Sequence, residues 1–529
     1  MLFNSLEFIG VFLPLTLLLF YQIGKRGYYR WALASLVAAS LFFYAWWNPP
    51  YLLLLIFSIG LNYTIGWALI QDQKLFFNQN KKTILIIGLA ANLAIIGYYK
   101  YFGFFIENLK FITPVEWHQS FDLLLPLGIS FFTFQQIAYL VDCYRVKVTQ
   151  HSLLKYVLFV SFFPQLIAGP IVHHEDLIPQ FYNQLIYKFS SKNFALGCTI
   201  FIIGLFKKVV FADNIAKYAN PIFNAAAQGT RIQFFEAWGG AIAYSLQLYY
   251  DFSGYSDMAI GAALLFGITL PLNFYSPYQA TSIIEFWRRW HITLSNFLRD
   301  YLYIPLGGNR HGEFRRQINL MITMLLGGLW HGAGWTFVLW GGLHGIYLVI
   351  NSQWRAICKK WRGDRQSHSG WSRVIGGGIT LIAVIVAWVF FRANNLDTAL
   401  LLLQGMMGGN GVSIPLAIVN KLGFIKAGLA SLGMTFKSFG GEEFIWTYIW
   451  GLTLLIIALL CPNTYQLMKG HNPPPAKELI FSKNSEISPL KSLTWQPNCM
   501  FAIFMGIATF VLFKTFLGGP ESEFLYFNF

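Results

Sequence analysis

Charge is what this chain of 529 residues has least of: Asp, Glu, Lys and Arg together make up 12% of it. A soluble domain carries about 25%. Hydrophobic residues reach 56% and mean hydropathy is +0.50, so an ordinary soluble enzyme is excluded. Cysteine is scarce as well. Cys143, Cys198, Cys358, Cys461 and Cys499 show no paired spacing, which points to neither a disulfide framework nor a zinc site. No Walker loop, GxSxG, HExxH or CxxC stands in a convincing context, leaving nucleotide-driven pumping, serine hydrolysis and zincin chemistry without support. No repeat period and no stretch resembling a separate soluble domain is visible. The amino-terminal run lacks a basic start, and Lys25, Arg26 and Arg30 follow it instead, which reads as an uncleaved first span.

What the chain has is apolar length. Runs at 6–23, 29–47, 50–70, 83–99, 121–141, 153–169 and 195–212 are each read as a crossing, since roughly 20 apolar residues span a bilayer. Positive loops follow alternate runs: Lys25/Arg26/Arg30, Lys74/Lys81/Lys82, Arg145/Lys147/Lys155, then Lys207/Lys208. By the positive-inside rule this predicts an extracytoplasmic amino terminus and seven consistent crossings. The net charge of +15 is scattered through such loops. It therefore reads as orientation signal and lipid contact rather than nucleic-acid binding.

The run 237–268 is interrupted by YYDFSGYSD, which puts Asp251 and Asp257 where a span has its middle. Intramembrane acids usually face a cavity or a partner; a broken helix capped by them is the alternative. Beyond Pro271 the alternation fails, because a full crossing would leave 285–316, with six Arg against two Glu and one Asp, on the outside. The expectation is a re-entrant piece or an extra pass, with 272–316 forming short amphipathic helices that dip into the membrane. Further apolar runs follow at 318–330, 335–351, 374–391, 445–461 and 499–517, while 408–442 and 463–497 read as loops or surface helices.

Two histidines stand out. His331 lies in GGLWHGAGW, where Gly328 and Gly332 allow close approach of backbone or a thin ligand chain and Trp330 and Trp335 supply walls. A neutral histidine takes a proton from an alcohol near neutral pH; the plainer alternative is a core histidine bonded to a carbonyl. His291 lies in FWRRWHITLSNFLRD. Read as one helix, Trp287, His291 and Ser295 share a face, with Arg288, Arg289 and Arg299 around them and Asn296 adjacent. Such arginines suit donor phosphates, and equally the lipid phosphates of an interfacial helix. Tyr250 and Asp251 are candidate tunnel-lining residues, and His344 is a decoy. In VHHED, His173, His174, Glu175 and Asp176 are too closely adjacent to converge on a metal, and a solvated turn at the outer face is expected.

YSLQLYYDFSGYSDMAIGAALLFGITLPLNFYSPY, EFWRRWHITLSNFLRDYLYIPLGG and LLGGLWHGAGWTFVLWGGLHG, in that order, resemble the membrane-bound O-acyltransferase (MBOAT) family. FFPQLIAGPI and AWWNPPYLLLLIFSIGLNY are similar to its bacterial alginate O-acetylase branch. The resemblance implies an all-α, multi-pass integral membrane protein of the bacterial inner membrane. It would be one polytopic domain of about 11–13 spans around a central funnel and tunnel, with amino-terminal spans in 1–120, the catalytic core in 121–350 and carboxy-terminal spans in 351–529. It implies that His331 is the family's catalytic histidine and His291 its second. Acetyl-CoA or another acyl thioester would be co-substrate, with no bound cofactor and no metal. The acceptor would be a secreted polysaccharide or a periplasmic relay protein. Where the family has a basic residue near His173, this chain has VHHEDLIPQ. Alternatives are a D-alanyl transferase to teichoic acid using a carrier-protein thioester and, from another class, a polysaccharide or lipid transporter or an assembly scaffold.

Overall fold

The computed structural model describes residues 1–70, 81–110, 124–148, 152–362, 370–421, 426–431, 433–437, 441–469, 494–518 and 523–525. Lys74, most of 463–497 and the last residues of the tail lie outside them. Among the described residues the protein is all-α apart from two three-residue strands, and seven helices are long and apolar enough to cross a membrane.

Helices α1 (Leu13–Lys25), α2 (Tyr29–Ala45), α3 (Pro49–Ile70) and α4 (Lys81–Ile96) form an up-and-down set, and a π-helical turn joins α4 to α5 (Phe102–Lys110). Gly27, at φ +82°, permits the tight reversal between α1 and α2. Helix α6 (Ile129–Tyr144) packs against α3 and α4. The run 153–169, expected to cross, does not. It breaks into α7 (Leu153–Ser161) and α8 (Phe163–Leu166), because Pro164 and Pro170 interrupt it.

The chain after it, including α9 (His174–Leu177), returns to the end of the bundle that carries Lys25 and Lys147. Lys147 lies 3.5 Å from Glu175, and Tyr187 stacks on Tyr29. His174 is buried, with Nδ1 3.5 Å from Asp142, so VHHED is a packed corner rather than a solvated turn at the opposite face.

Helices α10 (Ser191–Phe206) and α11 (Asp213–Ala227) join through a π-helical turn into one 37-residue helix. Lys207 and Lys208 therefore lie inside it and not in a loop. Helix α12 (Phe234–Leu265) runs back along it, continuous for 32 residues and buried over most of its length. The broken helix offered as the alternative is absent, and Asp251 and Asp257 face partners, the lysines across the helix pair. At the end of α12, Tyr21 donates to the Leu265 carbonyl and Gln180 donates to that of Thr269. Segment 268–316 thus starts at the same end as Lys25. The alternation is restored because 153–187 turns back, so that α12 ends beside α1 at the end that carries Lys25.

From there the chain re-enters the bundle along α12. Asn273 bonds Ser256, and the Tyr278 hydroxyl donates to the Ser245 carbonyl. Short helices α13 (Ile283–Arg289) and α14 (Ile292–Leu298) follow. Next comes a hairpin of α15 (Gly312–His331) and α16 (Trp335–Arg362), then α17 (Gly370–Arg392) and α18 (Leu396–Met406). Strand β1 (Ser413–Pro415) pairs in parallel with β2 (Thr435–Lys437), with α19 (Leu416–Lys421) and α20 (Lys426–Ser431) between them. Helix α21 (Gly441–Leu460) packs on α12; α22 (Thr464–Leu467) and α23 (Cys499–Gly518) complete the fold.

Candidate active site

The α15–α16 hairpin sets the position of His331, the last residue of α15. A Cβ on Gly328 would collide with the Phe337 carbonyl, and one on Gly332 with the Phe337 ring. These glycines hold α15 against α16, a packing role in place of the expected passage for a ligand. The exposed carbonyls at the end of α15 are taken up by the neighbouring element. Lys100 Nζ reaches the carbonyls of Trp330 (2.6 Å) and His331 (3.1 Å) and the Ser130 hydroxyl (3.1 Å). The Tyr101 hydroxyl donates to the Leu329 carbonyl. An ammonium has three donors, and here it meets three acceptors at a helix C-terminus, where a cation is favoured.

The His331 side chain is 3% exposed. Its walls are aromatic: ring centroids lie 4.8 Å from Trp330, 5.0 Å from Trp340 and 5.2 Å from Phe391. The His291 ring lies 6.5 Å away. The two histidines that the sequence singled out therefore meet, although they come from different elements.

His291 reaches this place by breaking a helix. Its φ is +42°, so α13 ends before it and α14 starts after it. The expected single helix face of Trp287, His291 and Ser295 does not exist. A non-glycine residue in this region costs about 1–3 kcal/mol and persists where its surroundings over-determine it. Here they do: the Ile292 N–H donates to the Asn273 carbonyl, and His291 Nδ1 lies 2.9 Å from Asn273 Oδ1. That oxygen also accepts from the Thr293 N–H and hydroxyl, while Asn273 Nδ2 donates to Ser256. The amide orientation is thereby fixed, so Nδ1 of a neutral His291 carries the proton and Nε2 is an acceptor.

The other candidates separate. Arg289 is buried, pairs with Glu285 at 2.7 Å and bonds the Tyr275 carbonyl, so it is a structural cation and not a phosphate ligand. Arg288 is exposed. Near it, Arg355 donates to the Ser282 hydroxyl. Trp287 is buried and its indole donates to His344 Nδ1, making it part of the wall. Ser295 and Asn296 are half-buried on α14, and the Ser295 hydroxyl donates to the Trp290 carbonyl. Trp335 is 54% exposed and bonds Asn108, so it lies outside the chamber. Tyr250 donates to the Leu454 carbonyl and Asp251 pairs with Lys208; both fasten helices together instead of lining a passage. Sequence reasoning missed Asn273, Lys100, Trp340 and Phe391. The lone lysine in GYYKYFGFF was the available signal for Lys100. Among the described residues no group of His, Cys, Asp and Glu is arranged to hold a metal.

The buried pair of histidines, at the junction of a glycine-packed hairpin and a kinked segment, lies in the part of the chain that matches a known family. The family model for membrane-bound O-acyltransferases matches residues 129–391, which contain both. A peptidoglycan O-acetyltransferase of Helicobacter pylori is 47% identical over 445 residues, covering 78% of this chain and 81% of the relative. The chain belongs to the MBOAT family. It is an O-acyltransferase and a multi-pass membrane protein. The probable alginate O-acetylase AlgI of Pseudomonas aeruginosa is 42% identical over 414 residues, 77% of this chain and 75% of the relative. A teichoic acid D-alanyltransferase of Streptococcus thermophilus is 29% identical over 290 residues, 51% and 69% respectively. This MBOAT protein has Lys100 outside the region matched by the family model, yet bonded to His331 within it.

Proposed function

We propose that the protein transfers an acetyl group from a cytoplasmic thioester, most simply acetyl-CoA, towards hydroxyls of an extracytoplasmic glycan. The observation that carries this reading is the juxtaposition of His331 and His291, 6.5 Å apart within the matched region. It is supported by O-acetyltransferase relatives that align over three-quarters or more of their length. Those relatives are named for peptidoglycan and for alginate, so the acceptor class is a bacterial polysaccharide, peptidoglycan included. A transfer through a periplasmic relay serine is the same chemistry with one more step. The D-alanyl alternative rests on more distant relatives.

In the proposed reaction His331 is the general base. It takes the proton of the acceptor hydroxyl as the oxygen attacks the thioester carbonyl. The tetrahedral intermediate then expels the thiolate, and the histidine returns the proton to sulfur, leaving an ester and a free thiol. His291, held with Nε2 as an acceptor, orients a hydroxyl or a donor N–H. In the neutral state it is not an oxyanion donor. Burial of both rings keeps water from hydrolysing the thioester. Exposed Arg288, with Arg355 nearby, would meet the donor phosphates. We take the basic end of the bundle as cytoplasmic, following the positive-inside rule, and so propose an inner-membrane protein with its amino terminus outside.

The test is ester-linked acetate, measured separately on peptidoglycan and on extracellular polysaccharide, from cells carrying wild type, His331→Ala at matched protein level, or no copy. Loss of acetate from one polymer in both mutant strains is expected and names the acceptor. Unchanged acetate on both, with reduced polymer export, would favour the transporter.

A further inference from the structure

A cleft of about 670 Å³ opens on the side of the bundle, away from the histidines, between the end of α1 and the start of α10. Its construction is specific. Gly24 brings α1 against the backbone of Tyr187, where a Cβ would lie 3.0 Å from the Tyr187 carbonyl oxygen. Tyr29 stacks on Tyr187 at 4.6 Å, forming a rigid aromatic floor. Tyr21 and Tyr187 are fixed by bonds to the Leu265 and Phe181 carbonyls.

Two cations stand at one end of this cleft, Lys25 and Lys188, both exposed. Among the described residues neither meets a carboxylate, and no acidic residue lines the cleft. The other end is apolar. Leu17 and Leu18 lie about two turns back along α1, roughly 12 Å from Lys25 at 1.5 Å per residue, and Phe194 of α10, beside Phe189, lines the same cleft. Lys25 ends a helix that meets the length and hydropathy of a membrane span, so the lysines lie at headgroup level and the leucines at acyl-chain level.

We propose that this cleft binds one anionic phospholipid, its phosphate at Lys25 and Lys188 and an acyl chain along Leu17, Leu18 and Phe194. Unpaired positive charge beside an apolar groove is complementary to such a lipid. A soluble anion would use only the lysines, and a zwitterionic lipid would gain less from them. The bound lipid would fasten α1 to α10, two helices linked here through the Tyr187 loop.

The experiment uses the full-length protein, delipidated in neutral detergent and titrated with phosphatidylglycerol or phosphatidylcholine under native mass spectrometry. Phosphatidylglycerol is expected to bind at least tenfold more tightly. The double variant Lys25→Gln/Lys188→Gln should lose about 25-fold, since each lysine near an anionic headgroup is worth roughly fivefold. Lys82→Gln/Lys359→Gln, which removes two exposed lysines elsewhere, should bind as wild type. Leu18→Trp, which fills the groove without changing charge, should lose binding too. Equal binding of both lipids, an unchanged Lys25→Gln/Lys188→Gln variant, an equal loss in the Lys82→Gln/Lys359→Gln control, or an unaffected Leu18→Trp would each overturn the proposal. So would competition by glycerol 3-phosphate at the lipid's own concentration, which would assign a phosphate site and no lipid.

Discussion

Lys100 holds His331 by its backbone: the amine lies 3.1 Å from the His331 carbonyl and 2.6 Å from that of Trp330. The histidine ring is thus aimed by a residue more than two hundred positions away in sequence. Replacing Lys100 with Met keeps length and volume but leaves those carbonyls without their donor. A misplacement of about 1 Å can cost roughly a hundredfold in rate. The expected outcome for Lys100→Met is a fall in turnover of about tenfold or more, with KM for the thioester unchanged. Steady-state kinetics on purified protein in liposomes separates the two. A rise in KM alone would instead make Lys100 part of the donor site.

His331 and His344 offer a contrast within one chamber. Both are buried, and both contact Trp340, at 5.0 and 4.9 Å between ring centroids. His344 has its Nδ1 engaged by the Trp287 indole and takes the place of an aromatic wall. General-base catalysis contributes about 10²–10⁴-fold, so His331→Ala should lower transfer by at least about a hundredfold. His344→Phe should stay within about fivefold of wild type, because a ring is retained. If His344→Phe is as inactive as His331→Ala at equal protein level, the assignment of the base is wrong.

Asn273 gives a third prediction. It fixes both the left-handed turn at His291, through its carbonyl, and the tautomer of the ring, through its side chain. Asn273→Leu keeps the first and removes the second, together with the side-chain bonds to Thr293 and Ser256. Turnover should fall about tenfold while His291 stays buried. The ring's tautomer, read by ¹⁵N shifts of labelled histidine, should become mixed. An unchanged Nδ1–H tautomer alongside lost activity would separate Asn273 from the mechanism.

Much of this was legible in the sequence, and what was missed follows a pattern. Apolar length and loop charge gave most of the helices, and the glycine- and tryptophan-rich setting marked His331. The pairing of His291 with His331 was legible through the family resemblance alone, since periodicity treated His291 as the middle of a helix. That reading failed because a positive φ at a histidine is set by tertiary bonds to Asn273, which lie outside any local pattern. Lys207 and Lys208 were misplaced for a related reason. Two adjacent lysines look like a loop until the acids of the antiparallel helix are seen beside them. Conversely, 153–169 has the hydropathy of a span, and only its prolines announced that it turns back.

The lysine–aspartate network supplies the last prediction. Lys208 and Asp251 lie 2.7 Å apart, each side chain 2% exposed, and Lys208 also meets Asp213 at 2.9 Å and the Glu523 carbonyl at 2.9 Å. Asp251 accepts from the Leu525 N–H, and Phe524 lies buried beneath the lysine at 4.8 Å. Removing one member of a buried pair costs about 3–5 kcal/mol, chiefly because the partner stays charged and unsolvated. Lys208→Met strands two carboxylates and should be the most damaging single change. Asp251→Leu leaves Lys208 with Asp213 and should cost less. Lys208→Met/Asp251→Leu should be milder than the sum of its parts, since the stranded charge at Asp251 is gone. Thermal unfolding of the purified proteins in detergent, followed by intrinsic fluorescence, measures all three. Strict additivity would mean that the pair is solvated in the working protein.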